Sequence, residues 1–112
     1  MTYNKYKAKK TIIDGITFDS KKEARRYSEL KLLERAGKII DLELQPEFIL
    51  LETFKNGDGK TIRSMKYIGD FKYIDEHGET TIEDTKGVKT EAYRLKKKLF
   101  EKKYFPLTIK EI

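Results

Sequence analysis

Asp70, Asp84 and Lys86 are residue types that can act on a phosphodiester when gathered around a divalent ion. Asp84 and Lys86 sit two apart in IEDTKG (82–87), and Asp70 lies among apolar neighbours in YIGDFKYI (67–74). Side chains alternate along a strand, so Ile82, Asp84 and Lys86 share one face, as do Ile68, Asp70, Lys72 and Ile74. If Glu76-His77-Gly78 closes the hairpin with Gly78 left-handed, Asp70 opposes Asp84; a two-residue loop opposes it to Glu83 instead. Facing like charges destabilise a sheet, so two carboxylates there need a cation.

Glu23 is the third acid. At 100° per residue it falls between Tyr27 and Leu30, flanked by Ala24 and Leu33, at the centre of an apolar stripe where a glutamate is unexpected. Ser20-Lys21-Lys22-Glu23 is also a capping box, which offers Glu23 a purely local role. Three converging carboxylates suit a hard divalent ion, Mg2+ with Mn2+ as the alternative, held by Asp70, Asp84 and Glu23. Such an ion lowers the pKa of bound water, and Lys86 would orient or deprotonate that water or stabilise charge on phosphorus. A solvated ladder of cross-strand ion pairs is the competing reading of Asp70, Asp84 and Lys86.

The elements that must position these groups can be read from local signals. Asp14-Gly15 turns a hairpin in TIIDGITF (11–18). A helix follows over about 20–36, with Ser20 as N-cap and Gly37 just past its end. Gln45-Pro46 interrupts the next segment, a strand runs over about 47–54, and NGDG (56–59) turns it back. Strands near 62–74 and 79–86 follow, then a helix from Thr90 to about 103 with an apolar stripe at Ala92, Leu95 and Leu99, then a strand over 107–112. The last strand returns through a helix and should lie parallel to 79–86. The expectation is an α/β layer structure, with helices on a mixed sheet and an N-terminal β-hairpin.

The 112 residues suffice for one domain, residues 1–112, with a basic arm at 1–10. Cysteine is absent, which excludes disulfides and thiolate metal sites and fits a reducing cytoplasm. No stretch approaches a membrane span of about 20 apolar residues, and the start lacks an apolar signal core. The net charge of +6 favours a polyanionic partner. Lysines crowd the arm beside Tyr3 and Tyr6, and cations crowd the late helix. Lys9, Lys10, Lys89, Arg94, Lys96 and Lys97 are the candidate nucleic-acid contacts. His77 lies in a turn without an orienting partner and reads as solvated. The Met65, Tyr67, Phe71 and Tyr73 face reads as core against a helix rather than a base-stacking platform.

Acid-x-lysine spacing also occurs at Asp19-Lys21, Glu29-Lys31, Asp58-Lys60, Asp70-Lys72 and Glu101-Lys103, so context must choose among the six. Glu23 on the first helix, Asp70 in YIGDF, then Asp84-Thr85-Lys86-Gly87 before a basic helix resembles the PD-(D/E)XK nuclease superfamily over residues 18–112. SKKEARRYSELKLLERAGKI, LQPEF, YIGDF and EDTKG together are similar to small phage and prophage proteins of unknown function. The wording around Glu23 and Gln45-Pro46 also resembles TnsA-type endonucleases.

The resemblance implies a restriction-endonuclease-like αβββαβ core. It makes Asp70 and Asp84 metal ligands, Lys86 the catalytic lysine and Glu23 the helix-borne acid, and it selects 84–86 because that strand leads into the crossover helix. Glu83, beside Asp84, is the alternative ligand, and the second helix lacks a glutamine-x-x-x-tyrosine element. The implied activity is Mg2+-dependent DNA endonuclease cleavage leaving 5′-phosphate and 3′-hydroxyl ends, with branched DNA as the first candidate substrate. A homodimer would suit cutting two strands. The alternative is a non-catalytic nucleic-acid-binding or phage structural protein on the same fold.

Overall fold

The structure, a computed structural model, describes residues 10–85 and 88–112. Lys86 and the arm lysines up to Lys9 lie outside the described residues, so the roles expected of Lys86 and Lys9 are not placed by it.

Asp14 and Gly15 both take positive φ, 54° and 75°, which the tight turn between β1 (Thr11–Ile13) and β2 (Ile16–Phe18) requires. The first helix, α1 (Lys21–Arg35), begins as expected: Ser20 Oγ accepts from the Glu23 N–H at 3.1 Å. Glu23, Ala24, Tyr27 and Leu30 form its buried face, while Leu33 is more open.

The strands are more broken than the sequence reading has them. Residues 38–46, left unassigned there, contain β3 (Ile40–Leu44), and β4 (Glu47–Leu51) continues it after Gln45-Pro46. The expected strand over 62–74 is three pieces: β6 (Thr61–Ile62), β7 (Met65–Ile68) and β8 (Phe71–Ile74). Short β5 (Phe54–Lys55) pairs with β6 around NGDG, where the Asn56 side chain accepts from the Asp58 and Lys60 N–H groups. β9 (Thr80–Asp84), α2 (Glu91–Lys103, N-capped by Thr90) and β10 (Ile109–Glu111) complete the chain.

The main sheet runs β10-β9-β8-β3 and is mixed, with β10 parallel to β9 as expected and the other neighbours antiparallel. β4 and β7 form a separate antiparallel ladder that continues β3 and β8 past their breaks. The two breaks face each other. Gln45, at φ 50°, donates its N–H to the Asp70 carbonyl, and Gly69 donates to the Pro46 carbonyl. Beyond this point β7 no longer pairs with β9, so the two strands fork.

Gly69 packs into the fork, where an added Cβ would lie 3.3 Å from Ile82 Cγ2 and 3.4 Å from the Tyr67 hydroxyl. The break also turns the strand over. Tyr67 is buried against α2 with Ile82, Phe100 and Ile109, whereas Phe71 and Tyr73 are buried against α1 with Ala24, Tyr27 and Leu30. The single aromatic face expected from alternation is therefore two faces, because a one-residue slip reverses the inward side.

On α2 the buried residues are Tyr93 and Phe100, while Leu95 and Leu99 of the expected stripe are 51% and 37% exposed. The aromatics win because Tyr67, Phe48 and Tyr104 offer rings to pack against. Full burial of a ring such as Phe100 contributes about 1.5–3 kcal/mol.

Candidate acidic site

The hairpin loop at Glu76-His77-Gly78 has three residues. Gly78 is left-handed at φ 77°, the Asp75 N–H donates to the Glu79 carbonyl, and the register runs through to Phe71 opposite Glu83. At the next residue the ladder slips, for the Asp70 N–H also donates to the Glu83 carbonyl at 3.0 Å. Asp70 thus sits at the mouth of the fork, half-buried and freed from strict alternation. Its Oδ2 accepts from both the Thr85 N–H (2.6 Å) and Thr85 Oγ1 (2.7 Å), which ties the end of β9 to the bend.

Glu23 meets Asp70 there. Burial, followed by the charge of Asp70, pushes the Glu23 carboxyl up to about 7, against a pull downward from the Asp19 N–H. The capping box is half made: Ser20 caps Glu23, but the Glu23 carboxyl is turned toward Asp70 and Asp19. Near neutral pH the Glu23 carboxyl is therefore only partly ionised.

Asp84 lies on the α2 side with Ile82 and is 1% exposed. The buried Tyr67 hydroxyl donates to its Oδ2 at 2.6 Å. Burial and then Asp84 push the Tyr67 phenol far up, with smaller contributions from Tyr93 and Asp70, so this hydroxyl lies in the fields of both aspartates. Asp70 turns toward Thr85 and Glu23, and Asp84 toward Tyr67.

Glu83, the alternative ligand, is engaged elsewhere. Its two oxygens receive Arg26 Nε and Nη2, each at 2.7 Å, and the Tyr73 hydroxyl adds a third bond. The carboxylate is fully buried and raises the Arg26 guanidinium, while burial and then Glu83 push the Tyr73 phenol to about 12. It is a structural anchor between α1 and the sheet, because a buried carboxylate persists only when paired and hydrogen-bonded. Arg26 is one turn from Glu23, so this anchor also sets where Glu23 meets the bend.

Among the described residues, no three Asp, Glu, His or Cys side chains converge closely enough to hold a metal ion. The arrangement brings together Glu23 and Asp70 as a pair and does not gather all three expected ligands. Glu23 and Asp70 present oxygen donors only, which fits a hard divalent cation bound by two carboxylates and completed by water or phosphate oxygens. Sequence reasoning missed Tyr67, Thr85 and Arg26. Thr85 was visible between Asp84 and Lys86, but Tyr67 and Arg26 carry no local signal of their partners.

The basic residues divide as well. Lys89 and Lys97 both reach Glu111, at 3.2 and 3.4 Å. The Tyr93 hydroxyl and these lysines pull the Glu111 carboxyl down to about 2. Lys10 and Arg94 are exposed and Lys96 is half-buried. His77 is exposed in its turn, and no helix among the described residues is long and apolar enough to cross a membrane.

No curated protein and no solved structure matches this chain. A family described as a protein of unknown function (DUF1064) matches residues 3–112, and the chain belongs to that family.

Proposed function

We propose that the protein is a metal-dependent DNA endonuclease built on a PD-(D/E)XK-type core. The observation that carries this reading is the Glu23–Asp70 pair. Glu23 is buried on the inner face of α1, and burial, followed by the charge of Asp70 at the strand fork, pushes its carboxyl up to about 7. A buried carboxyl beside another acid is costly to ionise, and a hard cation can take the place of the proton on Glu23. The order of α1, antiparallel strands, α2 and parallel β10 agrees with the superfamily core. The +6 charge suits a nucleic-acid substrate.

Asp70 and Glu23 would hold Mg2+ or Mn2+, Asp84 would add negative charge from the Tyr67 side of the fork, and Lys86 would serve as the catalytic lysine. The ion would supply an activated water and offset charge on the phosphodiester. Branched DNA, cleavage to 5′-phosphate ends and a homodimer belong to the same proposal.

A non-catalytic nucleic-acid-binding role is the second reading, favoured by the Tyr67 hydroxyl bond that turns Asp84 toward the α2 side. Incubating wild type, Asp84→Ala and Lys86→Ala with linear, flapped and four-way DNA separates the two. Cleavage by wild type alone, only with Mg2+ or Mn2+, is expected of the nuclease. Wild type that binds DNA but cuts none of these with either ion leaves only the binding role.

A further inference from the structure

We infer that the cleft between β7 and α2 takes an unpaired DNA strand, its bases on an apolar wall and its phosphates on Arg63, Lys66 and Lys96. This rests on the nuclease reading of the acids beside it. The cleft has a volume of about 740 Å3 and is bounded by β7, the end of β6 and the first turns of α2. Leu51 and Ile68 on its wall are 43% and 48% exposed, which leaves aliphatic surface open in the recess beside the cations. Arg63, Lys66 and Lys96 are its ionisable lining apart from two tyrosines, and no described carboxylate lines it.

Charge therefore selects a polyanion, and the apolar wall selects which one. A duplex turns its phosphates outward and hides its bases, so it has no use for aliphatic side chains in a recess. A single strand brings phosphates and free base faces together. Lys66 also pairs with Glu47 at 2.8 Å, but that pair is about half exposed and weak enough for a phosphate to compete.

The floor connects the cleft to the acids. Tyr67 and Tyr93 line it, and the Tyr67 hydroxyl is bonded to Asp84. A strand lying there runs one side chain away from Asp84, which gives a physical basis for preferring flaps and junctions over intact duplex.

The test is fluorescence anisotropy with a labelled short single-stranded oligonucleotide and the same sequence as blunt duplex, in chelator so that binding is read without cleavage. Wild type should bind the single strand about tenfold tighter. Arg63→Ala with Lys96→Ala should reduce the salt slope by about 1.4, from about 0.7 per phosphate contact on single strands. Arg35→Ala with Lys38→Ala, which removes the same charge at and just past the end of α1, should leave the slope unchanged.

Equal affinity for duplex, an unchanged slope in the cleft variant, or a loss that follows Arg94→Ala instead would overturn the assignment. So would a dimer in light scattering that Ile68→Glu dissociates, since a second copy would then fill the cleft. Strand binding as described by a protein that cuts nothing defeats the nuclease reading alone. A working nuclease without this binding pattern defeats only the cleft.

Discussion

The Tyr67 hydroxyl and the Asp84 carboxylate are joined by a buried 2.6 Å hydrogen bond across the fork between β7 and β9. It links two strands at the point where their backbones no longer pair. Tyr67→Phe keeps the ring and removes only this donor. A hydrogen bond to a charged group is worth about 1.5–3 kcal/mol, so urea unfolding should show a loss of that size. On the proposed function, cleavage should fall as well. A variant as stable as wild type would show that the bond does not hold the fork together.

Glu23 makes stability depend on pH in an unusual direction. Its folded pKa, about 7, lies above the ordinary 4.5, so the folded chain keeps a proton that the unfolded chain releases. This group's contribution is therefore complete below about 4.5 and is lost as pH rises through about 7. The urea midpoint of wild type should fall between pH 5 and pH 8 relative to that of Glu23→Gln, which carries no titrating group there. Parallel profiles for the two proteins would contradict the pairing with Asp70.

The Arg26–Glu83 pair is two-pronged and its carboxylate is fully buried. Arg26→Ala strands that carboxylate and should cost about 3–5 kcal/mol. Arg26→Lys should recover only part of this, because an ammonium cannot donate two parallel bonds. Replacing all three partners, Arg26→Met with Glu83→Leu and Tyr73→Phe, should recover most of the stability, since no buried polar group is then left unpaired. Guanidinium denaturation of the four proteins provides the comparison.

Gly69→Ala places a methyl 3.3 Å from Ile82 Cγ2 and 3.4 Å from the Tyr67 hydroxyl. The neighbours must give by a few tenths of an ångström, so thermal melting should show a loss of about 1 kcal/mol, at the low end for overpacking. Combined with Tyr67→Phe the cost should be less than the sum, since the displaced hydroxyl is already gone.

Much of the fold is legible locally. Asp14-Gly15, Ser20, Thr90 and the three-residue loop at Gly78 act on their immediate neighbours, and each does in the structure what its residue type implies. The parallel return of β10 is legible too, since a helix between strands leaves few other routes. The faces are harder. Counting alternate residues from Tyr67 to Phe71 runs through a break that reverses the strand, and only strand pairing reveals the slip. The buried side of α2 is likewise chosen by the rings awaiting it, which moves burial from Leu95 and Leu99 to Tyr93 and Phe100.

For the site, the sequence alone determined which acids were out of place: a glutamate on an apolar helical stripe and aspartates in two apolar strands. The tertiary structure decided their company, pairing Glu23 with Asp70, Asp84 with Tyr67 and Glu83 with Arg26. A residue's own burial is written in the periodicity around it. Its partner, far along the chain, depends on ladder register and helix docking, which are set by the summed packing of the whole molecule.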